Sequence, residues 1–324
     1  MADGLTRYAW RRLRSLVPIW LGISLLAFAL GNLVPGDPVE MILLQRTGEI
    51  PTRAAVEQLR EQLGLNAPAP WRYARWVVQA AQGDLGSSYR TGTPVAKVLL
   101  ERLPSTLQLA AASLLLSIVI GLPLGVAAAV HRGSVVDHMS RLIALLGTSV
   151  PTFLLGYALI MLFAVTLHLL PVAGSDGPGS LVLPVLTLAM AEAAALTRLT
   201  RASMLEVLGE DYVRTARAKG VPHRLVLVRH ALRNAINPLL TLTGIRAGRL
   251  LGGAVIVETV FARPGIGKLV VDAIHDRDYP LIQGFVLLMG TIFLLANLAV
   301  DLSYTGLDPR MRLTGGPRGD DRSP

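Results

Sequence analysis

Six stretches of this chain are long, apolar and almost free of charge, and they decide what it can fold into. Ser15–Val34, Ser105–Val130, Leu142–Leu167 and Leu281–Val300 carry no charge. Leu181–Thr197 carries only Glu192, and Leu239–Phe261 carries Arg246, Arg249 and Glu258. A helix needs about 20 apolar residues to cross the hydrocarbon of a bilayer. Each stretch therefore reads as a transmembrane helix. Composition points the same way: 52% of the 324 residues are hydrophobic, 16% are charged, and the mean hydropathy is +0.50. A soluble domain is about a quarter charged. The first stretch follows Arg11, Arg12 and Arg14, as a signal peptide would. Its apolar part is long for one, and no small-residue cleavage site follows. The chain has no cysteine, which excludes disulfides, thiolate chemistry and cysteine-built zinc sites.

The net charge of +9 needs a location. Cytoplasmic membrane loops and nucleic acid both attract lysine and arginine. With the N-terminus in the cytoplasm, segments 1–14, 131–141, 198–237 and 301–324 lie inside and hold 18 of the 31 Lys/Arg residues. The short outer loops 168–180 and 262–280 hold 0 and 3. The long outer segment 35–104 holds 8, nearly balanced by acids. The positive-inside rule selects this topology over its reverse. Within 35–104, AVEQLREQLGL (55–65) and PVAKVLLERL (94–103) have helical spacing. The second is expected to lie along the membrane surface, and the segment as a whole to form a helical cap.

The inner stretch Asp211–Pro238 has six Lys/Arg and one acid. It reads as two short helices broken at Gly220, a natural C-terminal stop. Pro222 suits the first turn of the second helix, and Leu225, Val228 and Leu232 would be its apolar stripe. Three readings compete: a solvated loop, a DNA-binding helix-turn-helix, and a docking element for a cytoplasmic protein. The membrane stands close on both sides, which keeps a DNA groove away.

The same stretch resembles the EAA motif of permease subunits in ABC importers, nearest to the dipeptide/oligopeptide/nickel branch. LVPGDP (33–38), LREQLGLNAP (59–68), GDLGSS (83–88), RLPSTLQLA (102–110), LTRASMLEVLGEDYVRTARAKG (199–220), RHALRNAINP (229–238), LLGGAVIVETVFARPGIGKL (250–269), RDYPLIQG (277–284) and LDPRMR (307–312) are similar to that branch in order. Arg214-Thr215-Ala216 stands where the general motif has Glu-Ala-Ala, and Gly220 is kept. The resemblance implies an all-α integral membrane protein with a type I ABC importer permease fold, six helices and both termini cytoplasmic. It implies a homologous second permease, two ATPase subunits that use ATP and Mg, and an extracytoplasmic substrate-binding protein. No cofactor, metal or nucleic acid is expected on this chain. Arg214, Thr215, Ala216, Arg217, Lys219, Gly220, Arg224 and Arg229 become the ATPase-coupling residues. Ala216 and Gly220 would let a partner backbone approach closely.

No enzyme constellation competes. PGIGKL (264–269) fails as a phosphate loop, because position 262 is Ala and Leu follows Lys268. HExxH and GxSxG are absent, and the six histidines are scattered.

Ionisable groups inside a membrane face the bundle interior or a path. Glu192, Arg246, Arg249 and Glu258 are therefore candidates for the translocation path or for an intramembrane ion pair. Glu192 would pair with the arginines, or Glu258 would cap or pair at the outer end, near Arg263. Two arginines would repel a bare divalent cation and tolerate a peptide carboxylate, which tilts the cargo from nickel toward peptides. Chelated nickel and glutathione-like cargo stay open. Gly244, Gly248 and Gly252, with Gly253, suggest close helix packing, within the chain or against a second permease. Pro123, Pro151 and Pro184 are expected to kink their spans. The outer loop Arg263–Gln283 would return toward the pore or meet a binding protein. The domain reading is an N-terminus (1–14), a first span (15–34), an outer cap (35–104), a permease core (105–313, with coupling helices at 211–233) and a disordered tail (314–324). An ion-driven secondary transporter and a nucleic-acid-binding membrane protein are the readings from other classes.

Overall fold

The computed structural model describes residues 2–33, 38–62, 64–174, 177 and 179–307. Among them there is no β-strand beyond an isolated bridge between Ser87 and Pro94. Thirteen α-helices follow one another. α1 (Ala2–Leu33) is the N-terminal span. α2 (Pro38–Thr47), α3 (Arg53–Gln62) and α4 (Ala69–Ala81) are short helices. α5 (Val95–Val130) is the longest. α6 (Val135–Ser149) and α7 (Thr152–Leu159, continued by a π-helical segment Ile160–Thr166) form a bent pair. Then come α8 (Val182–Leu208), α9 (Asp211–Ala218), α10 (His223–Leu225), a π segment (Val226–Leu232) and α11 (Arg233–Val260). α12 (Ile266–His275) and α13 (Tyr279–Leu307) close the chain.

Four of these helices are long and apolar enough to cross a bilayer, and the pair α6–α7 makes a fifth if counted as one span. α11 has 28 residues, and at 1.5 Å per residue it runs about 42 Å. The residues after 307, including the tail expected at 314–324, lie outside the described part.

Three helices differ from the sequence reading. PVAKVLLERL is not a separate helix. It is the first part of α5, and its Val95 and Leu99 are buried against Ile266, Ala273 and Leu281. Its charges, Lys97, Glu101 and Arg102, mimic an interfacial helix, yet they point away from that core. The expected span Leu142–Leu167 is not one rod: α6 and α7 meet at 104°. Pro151 lacks an N–H and pushes Val150 out of the helical region, and Val150 has ψ 125°. Pro184 does not kink its helix. It falls in the first turn of α8, where its missing N–H leaves nothing unpaired.

The bundle centres on α5 and α8. Ser113, Ser117, Gly121, Gly125 and Ala129 recur every four residues on α5, and all are buried. A Cβ on Gly121 would stand 2.8 Å from the Ala193 carbonyl, and one on Gly125 would stand 2.7 Å from that of Thr197. Backbone therefore meets backbone, as small residues at this spacing permit. Leu109, Ile160, Leu183, Leu250, Val257 and Phe261 fill the adjoining core. α1 lies antiparallel to α13, where Trp20 donates to Thr291 at 3.0 Å.

Candidate functional site: the basic loop and the polar spans

The basic loop is a compact two-helix corner. α9 ends at Ala218 with Lys219 as its C-cap, and Gly220 has φ +75°, which a residue with a side chain adopts only under strain. Pro222 sits just before α10, with ψ 137°. Beyond it the chain is helical without interruption to Val260, so the second helix is not short but merges with α11. The π segment changes the apolar register. Val226 and Ala231, five apart, are both buried. The expected stripe is displaced as a result: Leu225 and Val228 are 44% and 65% exposed.

Ala216 also departs from expectation. It does not face outward. It is 8% exposed and packs with Val213 and Val226, so its small size serves the joint between the two helices. Tyr212 strengthens that joint, since Asn234 Nδ2 donates to its hydroxyl at 2.7 Å and to the His230 carbonyl at 3.0 Å. Arg214, Thr215, Arg217, Lys219, Gly220, Arg224 and Arg229 are all exposed on the outside of this corner. A Cβ on Gly220 would meet nothing within 4 Å. The result is a firm support carrying a basic surface that no described residue covers.

The polar residues of the spans divide. Arg246 Nη1 lies 2.8 Å from Glu192 Oε2, joining α11 to α8. Arg249 is exposed instead. It continues into a stripe with Gly252, Ile256 and Thr259, all exposed on one face of α11. Gly252 has open space around it, whereas Gly248 abuts the Phe293 ring and Gly253 abuts Leu188. The expected glycine face therefore serves three different surroundings rather than one, and the side-chain surroundings of Gly244 lie outside the described residues. The four-residue stripe that does pack backbone to backbone is on α5.

Glu258 is fully buried. Its carboxylate accepts from Thr106 Oγ1 at 2.5 Å and from the N–H groups of Gly267 and Lys268 at 2.8 and 3.2 Å. It thus caps the first turn of α12, where free N–H groups favour a negative charge. Gly265 and Gly267 make room: a Cβ at 265 would fall 2.1 Å from the carboxylate. Glu258 holds the loop between α11 and α12 in place and has no exposed surface among the described residues. Its neighbour Arg263 is 4% exposed and donates to Gln108 at 2.8 Å. Burial lowers the pKa of that guanidinium from its ordinary value, against the opposing pull of Glu258.

One pairing was missed in the sequence. Asp137, 1% exposed, takes a two-pronged bond from Arg201 at 2.6 and 2.9 Å and a third from the Gly133 N–H at 3.0 Å. This ties α6 to α8 through a bidentate charge pair. Ser134, three residues earlier, accepts from the Asp137 N–H as the N-cap of α6, and the Ser-x-x-Asp spacing was the available signal. Among the described residues, no three His, Asp or Glu side chains come together where a metal ion would sit.

Residues 121–313 match the binding-protein-dependent transport system inner membrane component, and residues 5–110 match the N-terminal part of the same kind of membrane component. The chain is 40% identical to the dipeptide transport system permease protein DppB of Escherichia coli K12, covering 95% of this chain and 99% of that one. It is 42% identical to a probable peptide ABC transporter permease protein, y4tP of Sinorhizobium fredii, over 94% and 99%. It is also 42% identical to the glutathione transport system permease protein GsiC of Escherichia coli O6:H1, over 95% and 99%. Among solved structures, a chain of the MetNI methionine ABC transporter in inward-facing conformations superposes with a TM-score of 0.55 at 21% identity, over 65% of this chain and 96% of that one. A chain of an amino acid ABC transporter with histidines gives 0.50 at 16%, over 66% and 94%. The fold is that of an ABC importer membrane subunit. This chain belongs to the family of binding-protein-dependent transport system inner membrane components.

Proposed function

We propose that this chain is one of two homologous permease subunits of an ATP-driven importer, and that it passes di- and oligopeptides across the inner membrane by alternating access. Two ATPase subunits, which use ATP and Mg, engage the basic corner at 211–233. An extracytoplasmic binding protein delivers cargo. The chain has six transmembrane helices with both ends in the cytoplasm, and it makes and breaks no covalent bond itself. The observation that carries this reading is the exposed, internally braced corner with Arg214, Arg217, Lys219, Arg224 and Arg229 outermost. A coupling element has to be stiff, so that movement is passed on rather than absorbed. Its cations suit an acidic cleft. Arg249 and the open stripe Gly252–Ile256–Thr259 suit the second subunit or the path between the two.

The cargo reading draws on relatives named for dipeptide, peptide and glutathione transport, whose shared chemistry is a short peptide. The test is uptake of a labelled dipeptide, a longer peptide, glutathione and nickel, in cells with and without the chain. Loss of peptide uptake alone supports the reading. Loss of nickel uptake alone overturns the cargo. Transport that survives ATP depletion and collapses with an ion gradient overturns the class.

A further inference from the structure

A cavity of about 190 Å³ lies where α4 crosses the ends of α1 and α13. Phe28, Arg72, Arg75, Trp76, Tyr279 and Gln283 line it. Tyr279 is only 5% exposed, and its phenol oxygen is buried with no hydrogen-bond partner among the described residues. A buried hydroxyl left without a partner is costly, and it marks a place where an acceptor from outside the chain belongs.

The surroundings say what kind of acceptor. Arg72 and Arg75 stand three apart on one side of α4, and the Arg72 guanidinium lies 5.9 Å above the Phe28 ring. The only carboxylate beside Tyr279 in sequence, Asp278, already accepts from the Ser88 hydroxyl and the Tyr89 N–H. The Arg75 guanidinium and the Tyr279 phenol O–H form a donor pair for a phosphate, with the positive charge of Arg72 beside them. The position fits as well. α1 and α13 are membrane-spanning rods, and the cavity sits at the end where both leave the hydrocarbon. On the outer side of α4, Trp71 and Val78, seven apart, are 62% and 57% exposed. A helix with a tryptophan and a valine on one face and arginines beside them lies in the headgroup layer. A volume of about 190 Å³ has room for a phosphate with part of its glycerol.

We propose that this cavity binds the phosphate headgroup of an anionic phospholipid, which fastens α1 to α13 at the membrane surface.

The test is native mass spectrometry of the full chain, with its copurifying subunits, delipidated in detergent and titrated with phosphatidylglycerol, with phosphatidylethanolamine and with inorganic phosphate. The wild type should retain phosphatidylglycerol in preference to the other two. Arg75→Gln should weaken that retention about tenfold, as loss of a charge-assisted bond does. Tyr279→Phe, which removes a single oxygen and keeps the ring, should weaken it severalfold while unfolding at the wild-type temperature. If both variants keep the wild-type thermal midpoint and retain phosphatidylglycerol as well as wild type does, the site is wrong. If inorganic phosphate binds as tightly as the lipid, the cavity is a free-anion site and the lipid proposal falls.

Discussion

Arg246 on α11 and Glu192 on α8 meet 2.8 Å apart in the middle of the bundle, while Arg249, three residues further on, reaches no partner among the described residues. Two arginines of one helix thus do different work. Glu192→Gln leaves Arg246 without its counter-charge and should destabilise the chain by about 2 kcal/mol. Arg249→Gln should leave stability within about 0.5 kcal/mol of wild type. Thermal unfolding of both variants in detergent checks this. If Arg249→Gln proves the more damaging to stability, the division is reversed.

Glu258 and the glycines above it form one unit. Glu258→Ala strips the acceptor from three donors, and the chain should lose about 3 kcal/mol. Gly265→Ala pushes a methyl into the carboxylate and should act in the same direction. Both should expose the outer loop to protease, while a distant control such as Gly22→Ala, whose Cβ meets nothing within 4 Å, should not. Limited proteolysis from the outer face is the measurement.

Gly220 separates docking from folding. Its surroundings are open, so Gly220→Trp adds about 1–2 kcal/mol of backbone strain and no clash within the chain. Membrane insertion should be intact and capture of the ATPase subunit lost. Pull-down equal to wild type would remove the docking assignment.

The open face of α11 is testable because the chain has no cysteine. Ile256→Cys should react quickly with a maleimide when this chain is made alone, and slowly in the assembled transporter. Equal rates in both would mean that no second subunit covers the face.

Much of the fold was legible because the bilayer imposes long apolar runs, and because Gly220 breaks the basic stretch in plain view. Other parts were hidden for identifiable reasons. The α5 contact stripe, Ser113 to Ala129, is interleaved with leucines, so its small residues vanish into a uniformly apolar run. Lys97, Glu101 and Arg102 disguise the start of α5. The π segment at Val226–Leu232 breaks the 3.6-residue rhythm on which the stripe Leu225–Val228–Leu232 was read, and Ala216 was assigned outward for want of that register. The Arg246–Glu192 contact could be framed from charge alone. The cap by Glu258 depends on backbone N–H groups nine and ten residues later, which leave no mark beyond the glycines at 265 and 267.

The contact between α5 and α8 has a mechanical consequence. Gly121 and Gly125 are hollows in α5 that receive the Leu196 and Thr200 side chains together with the Ala193 and Thr197 carbonyls of α8, so one helix cannot glide along the other. Interlocked notches of this kind resist shear and leave turning as the available motion. α8 runs through Gly209 and Glu210 directly into α9, so a push on the basic corner is delivered to a two-helix block that swings as one piece. The give must then come from its borders, at the elbow beside Pro151 and at the face of α11 that the described residues leave bare.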